Sequence, residues 1–138
     1  MPKSLNPLIV VMLVLSALLV LGCDTAFMVG GKTVGISDGQ FISKDGYLTM
    51  EYDFSLEDIW KACEQTISDM NASEVEKNRK IASGKITGTI QAERIVIAIE
   101  YISKEITWVS IRVGIAGNNM VSQIIHEKIG NNLLKLKK

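Results

Sequence analysis

Little in this chain can do chemistry by itself. Its 138 residues include two cysteines, Cys23 and Cys63, and one histidine, His126. So few nitrogen and sulfur ligands rule out a recognisable zinc or haem site, and no metal or cofactor is expected. Fifteen basic residues stand against fifteen acidic ones. A nucleic-acid binder needs a basic excess that this chain lacks, and there is no acidic tail. There is no internal repeat and no low-complexity segment. The longest apolar run, residues 8–21 (LIVVMLVLSALLVL), has 14 residues. A helix needs about 20 to cross a bilayer.

What the run does have is a context. Lys3 and the amino terminus put positive charge before it, and a small residue and Asp24 close it. That order of charged start, short apolar stretch and small residue at a cut is the plan of a signal peptide. Asp24 falls where a charge is costly to bury in lipid. Val20-Leu21-Gly22-Cys23 resembles the bacterial lipobox, in which an apolar residue, a variable residue and a small residue precede a cysteine. The resemblance implies cleavage between Gly22 and Cys23. It also implies diacylglyceryl attachment to the sulfur and acylation of the new amino terminus. The chemistry needs a thiol nucleophile and a small residue for protease access. Asp24 resembles the signal that keeps lipoproteins of diderm bacteria in the inner membrane, with the outer membrane as the alternative. At about 0.8 kcal/mol per buried CH2, two or more acyl chains anchor stably. With Cys23 so used, Cys63 has no disulfide partner, and a lone thiol in an oxidising compartment is best buried.

Residues 24–46 hold five glycines, Gly30, Gly31, Gly35, Gly39 and Gly46. They read as tether plus a short extended piece, so the expected organisation is signal peptide 1–22, lipidated Cys and tether 23–46, and folded domain 47–138. Leu48, Met50, Tyr52 and Phe54 alternate along YLTMEYDF, a half-buried strand. Ser55 is a good N-cap, with Asp58 three residues on. Leu56, Ile59, Trp60, Cys63, Ile67 and Met70 recur at helical spacing over 56–70. Cys63 lies on that apolar stripe and behaves as an inert, buried thiol. Residues 73–78 (SEVEKN) read as a short edge strand. Alternation returns in 84–91, with Ile86 and Ile90 inward. It continues in 93–102, with Ile95, Ile97, Ile99 and Tyr101 on one side, and in 105–113, with Val109, Ile111 and Val113 inward. Short turns between consecutive strands argue an antiparallel meander. Gly117-Asn118-Asn119 opens a second helix carrying Val121, Ile124, Ile125, Ile129 and Leu133, which Gly130-Asn131-Asn132 would end or kink. The fold class expected is α+β: a two-layer sandwich of an antiparallel sheet of about four strands with two helices on one face, in the order strand-helix-strands-helix.

The lipobox, the glycine-rich stretch, LTMEYDFSLEDIWKACEQTISDM, SGKITG and WVSIRVGIAGNNMVSQIIHEKI together resemble a family of short bacterial lipoproteins defined only as a domain of unknown function. The likeness covers about residues 18–134. The family brings no activity and no catalytic residues with it. Its closing helix is also reminiscent of helix-grip modules in envelope-assembly lipoproteins, an analogy of fold alone.

Each site-like feature has a duller reading. AFMVGGKT, residues 26–33, fits a loose nucleotide-loop pattern, but no strand can precede it so close to the anchor, and glycine-rich sequence follows it where a helix is needed. Asn71-Ala72-Ser73 matches a glycosylation sequon and reads as a helix-ending turn. Glu57, Asp58, Glu64 and Asp69 form the solvated face of the first helix. His126, beside Ile125, reads as a surface or boundary residue without a nucleophile or orienting carboxylate to work with. Trp108 is the sharper case. With Val109, Ile111 and Val113 inward, Trp108 and Ile106 face out with Val96 and Ala98. They make a small apolar patch flanked by Thr87, Thr89 and Arg112. Such a patch marks either a protein partner or a surface covered by the glycine-rich segment. The function expected is that of a membrane-anchored, periplasm-facing envelope lipoprotein, a binding or accessory module rather than an enzyme. It would contact the membrane through acylated Cys23, an envelope protein through its patch, and no nucleic acid. The alternative is a small-ligand carrier or sensor using the cleft between sheet and helices.

Overall fold

The computed structural model describes residues 41–138, together with Pro7. The expected signal peptide 1–22, the sites Gly22, Cys23 and Asp24, and the stretch 26–33 lie outside the described residues. The elements are β1 (Ile42–Lys44), β2 (Tyr47–Tyr52), α1 (Leu56–Asp69), β3 (Ser73–Arg79), β4 (Ser83–Ile90), β5 (Glu93–Ser103), β6 (Ile106–Val113) and α2 (Asn119–Leu136). They form an α+β unit with one six-stranded antiparallel sheet in the order β1-β2-β6-β5-β4-β3. The expectation of about four strands in the order strand-helix-strands-helix is overturned. Two strands precede the first helix and four follow it.

The extra strand at the start comes from a turn. Asp45 and Gly46 have φ of 52° and 76°, and Lys44 pairs directly with Tyr47. Two residues in the left-handed region make the tight hairpin that suits the twist of the flanking strands, and Asp-Gly is its favoured pair. Gly46 is also pressed against the loop before α2. A Cβ on it would stand 2.6 Å from the Ala116 carbonyl oxygen. Only glycine fits there, so hairpin and loop fix each other. At the other edge β3 is exposed along its whole length and carries a bulge between Ser73 and Glu76. Its charges and its bulge discourage pairing with another chain.

Both helices lie on one face of the sheet. Ile86, Ile95, Ile97, Ile99, Val109 and Ile111 rise from the sheet, all at most 1% exposed. They meet Ile59, Cys63 and Ile67 of α1 and Ile125, Ile129 and Leu133 of α2 in one core. Trp60 lies over β4 because position 84 is glycine: a Cβ there would come 2.4 Å from the indole ring. Ser55 caps α1 by accepting from the Asp58 amide at 3.2 Å, and Asn118 caps α2 by accepting from the Val121 amide at 3.1 Å. Each cap satisfies one of the amides that a helix start leaves free. The expected break at Gly130-Asn131-Asn132 is absent, and α2 runs to Leu136. The Asn132 amide supplies the reason. It donates to Thr66 Oγ1 at 3.0 Å and to Asp69 Oδ2 at 3.1 Å, joining the helices instead of ending one.

Candidate functional site

Among the described residues, Tyr52, Cys63 and His126 are committed to the fold. His126 is a core residue, 2% exposed, and not a surface or boundary one. Its Nε2 lies 2.9 Å from the Leu48 carbonyl oxygen and its Nδ1 2.8 Å from the Tyr52 hydroxyl. A carbonyl can only accept, so Nε2 carries the proton and Nδ1 accepts from Tyr52. That is a neutral ring. Burial lowers its pKa to about 4 against the opposing bond to Leu48. The same burial, aided by Cys63, raises the Tyr52 hydroxyl well above its ordinary range. Cys63 is fully buried, and desolvation pushes its thiol upward too. A thiol held protonated and out of solvent is neither nucleophile nor ligand. No group of three or more His, Cys, Asp or Glu residues able to hold a metal occurs among the described residues.

The carboxylates of α1 have structural partners as well. Glu57 pairs with Arg79 of β3 and with Lys61, and its pKa is lowered by the Arg79 bond first. Glu64 pairs with Lys77 at 3.0 Å. Asp58 accepts from the Ser55 hydroxyl at 2.9 Å. Asp69 is held below its ordinary pKa by bonds from Gln65 and Asn132. Asn71 stands in the left-handed region, φ 53°, just past the end of α1. Lys61 of α1 and Lys77 and Arg79 of β3 therefore meet carboxylates, whereas Lys128 and Lys135 of α2 form no ion pair among the described residues.

Among the described residues, the opposite face of the sheet carries no helix and has a different character. Cross-strand registers lay it out in rows. One row runs Glu51, Trp108, Glu100, Ser83. The next runs Thr49, Ser110, Ala98, Lys85, Asn78. A third runs Arg112, Val96, Thr87, Glu76, with Arg112 stacked 4.8 Å from the centre of the Tyr47 ring. Trp108 and Ile106 do point to this face, and Trp108 is 39% exposed. Its indole nitrogen donates to Glu51 at 2.7 Å. Val96 is separated from Trp108 by the intervening row, about 13 Å along the strands at 3.4 Å per residue. The three residues thus do not adjoin as one apolar patch. Val96 instead sits at the floor of a polar hollow, only 6% exposed beside Thr87 at 7%.

That hollow is a concavity of about 490 Å³ lined by Tyr47, Thr87, Val96, Arg94, Arg112 and Lys85 among others. A second one of about 600 Å³, sharing Asn78 and Lys85, continues over Ala98, Ser110 and Glu100. Arg112 Nε is buried and has no hydrogen-bond partner among the described residues. A buried donor left unpaired costs about 1–3 kcal/mol. Of this set Val96, Ala98, Thr87 and Arg112 stand out from reading the chain alone. The rest was open to the same parity argument that gave the core. Arg94 shares the face of Val96, and Lys85 the face of Thr87, because Ile95, Ile97 and Ile86 point the other way. The space between sheet and helices, by contrast, is filled by the core side chains.

Fold and site define a class: a small α+β protein with one face of its sheet sealed by two helices and the other, among the described residues, bare and polar. Within that class, the sequence model of a family described as a protein of unknown function, DUF3568, matches residues 7–132. The chain belongs to that family. The curated proteins contain no match to it. No helix among the described residues is long and apolar enough to cross a membrane.

Proposed function

We propose that the protein is a membrane-anchored lipoprotein of the cell envelope that works as a non-catalytic binding or accessory module. Val20-Leu21-Gly22-Cys23 supplies the anchor, cleavage before Cys23 frees the chain, and the domain faces the periplasm. Asp24 favours the inner membrane. One observation carries the binding reading. Tyr52, Cys63 and His126, the residues best suited to acid–base or nucleophilic work, are spent on the core. The bare sheet face is where polar and charged side chains are free to meet something else. A second reading, a carrier or sensor of a small ligand, draws on the hollows of about 490 and 600 Å³ in that same face. Trp108 and Ile106, at one end of it, are the residues for a protein partner.

The test is the intact mass of protein extracted from the membrane fraction, beside a Cys23→Ser version. A chain lacking residues 1–22 and carrying acyl mass, both lost in Cys23→Ser, is the expected result. A full-length chain without acyl groups overturns the anchor and the localisation together.

A further inference from the structure

We propose that the hollow over Val96 and Thr87 is a binding site for a phosphate group, with Arg112, Arg94 and Lys85 as its cationic walls. The inference does not depend on whether Cys23 is acylated.

It starts from where the unpaired cations gather. The basic residues flanking α1 and β3 on the helix side all have carboxylates within 4 Å. On the bare face Arg112, Arg94 and Lys85 form no ion pair among the described residues. Registers bring them round one floor. Arg112 lies directly across from Val96, and Val96 directly across from Thr87. Arg94 is two residues from Val96 along β5, and Lys85 two residues from Thr87 along β4, so they stand at opposite ends of that floor. By sheet spacing the three Cα atoms lie about 8–15 Å apart, within the joint reach of long cationic side chains. Among the described residues Glu76 is the one carboxylate lining the hollow; it lies across from Thr87, diagonal to Lys85, and forms an ion pair with none of the three cations. Lys77, the remaining cation at the rim, is already taken by Glu64.

Arg112 makes the hollow specific. Its guanidinium is steadied against the Tyr47 ring at 4.8 Å, while its Nε is buried without a partner. A planar fork of donors held in one orientation suits an oxyanion that can accept from it in two places. Two further cations and the Thr87 hydroxyl can serve the other oxygens. A tetrahedral phosphate suits three cations better than a planar carboxylate does, inorganic phosphate by its extra charge and a lipid phosphodiester by two free oxygens that point in different directions. The group can come from a free solute or from an anionic lipid headgroup.

The test uses the full-length protein in an uncharged detergent. Melting is followed against inorganic phosphate, with sodium chloride at matched ionic strength as the reference. A parallel series has phosphatidylglycerol or phosphatidylcholine mixed into the micelles. The proposal predicts a saturable rise in Tm with phosphate, or with phosphatidylglycerol alone. The first result identifies a free ligand and the second a headgroup. Arg112→Met should weaken the response at least about tenfold, the cost of one charge-assisted bond. Arg112→Met keeps an apolar stem over Val96. Lys85→Gln, at an exposed position, should weaken the response with no change in the ligand-free Tm. No saturable response to either probe overturns the proposal. So does an undiminished response in both variants.

Discussion

The two faces of this sheet are built from the same strands by alternate residues, and they obey opposite rules. Toward the helices, β5 shows Ile95, Ile97 and Ile99, each at most 1% exposed. Away from them it shows Arg94, Val96, Ala98 and Glu100. On the helix face every fully buried side-chain nitrogen or oxygen among the described residues has a hydrogen-bond partner. The Thr107 hydroxyl donates to the Phe54 carbonyl at 2.9 Å, and the Ser122 hydroxyl to the Ile111 carbonyl at 3.3 Å. Around the hollow on the bare face three cations have no ionic partner, and one buried N–H has no hydrogen-bond partner, among the described residues. Burial demands complete satisfaction, because an unpaired polar group in the interior costs more than a hydrogen bond returns. The open face is under no such demand. Stability resides on the first face and the freedom to bind on the second.

The comparison breaks most sharply at a single core residue. Ile111→Ala should cost about 2–5 kcal/mol, the range for a large-to-small change at a sealed site. The Lys85→Gln change on the opposite face should stay within about 0.5 kcal/mol. Denaturant midpoints at constant m-value check both.

Acid should attack the helix face through His126. The His126 pKa is lowered by burial to about 4 from an ordinary 6.5. The unfolded chain therefore binds a proton over a range where the folded one does not. Stability from this site is complete above pH 6.5 and is lost as pH falls toward 4, in all on the order of 3 kcal/mol. Urea midpoints between pH 7 and 4.5 should show the slope, and His126→Gln should flatten it.

Crowding the core should have a smaller effect. Gly84→Ala places a methyl 2.4 Å from the Trp60 ring, which has to move, at a cost of about 1–3 kcal/mol. Pairing it with Trp60→Leu should recover part of that loss in a double-mutant cycle. Smallest is the cap: Ser55→Ala should remove about 1 kcal/mol by freeing the Asp58 amide.

Much of the helix face is legible in the amino-acid order. The alternating isoleucines of β5 and β6 and the 3.6-residue stripe of α1 each state which way they point. Ser55 and Asn118 mark both helix starts. One element is hidden by its length. β1 is three residues with every side chain exposed, so no hydrophobic period announces it. The Asp45-Gly46 pair is its only signal, and it lies at the end of a glycine-rich stretch that reads as tether. The place of His126 is hidden for another reason. Its partners, Tyr52 and the Leu48 carbonyl, are more than 70 residues away in the chain. A polar residue on an apolar arc looks misplaced until the opposing strand supplies its hydrogen bonds. Asn132 is the same case, with Thr66 and Asp69 as partners. The grouping of Arg94, Arg112 and Lys85 needs the strand registers, which alternation alone does not supply.

The central claim is that one face is sealed and the other open, and thiol labelling reads it directly. In a Cys23→Ser background, Cys63 is the remaining native thiol, buried beneath α1. Ser110→Cys adds a second thiol in the middle of the bare face, four residues after Ile106. The account predicts that the added cysteine reacts with a water-soluble thiol reagent under native conditions. Cys63 should react only at the rate of unfolding. Fast native labelling of Cys63, or a protected cysteine at position 110, would contradict it.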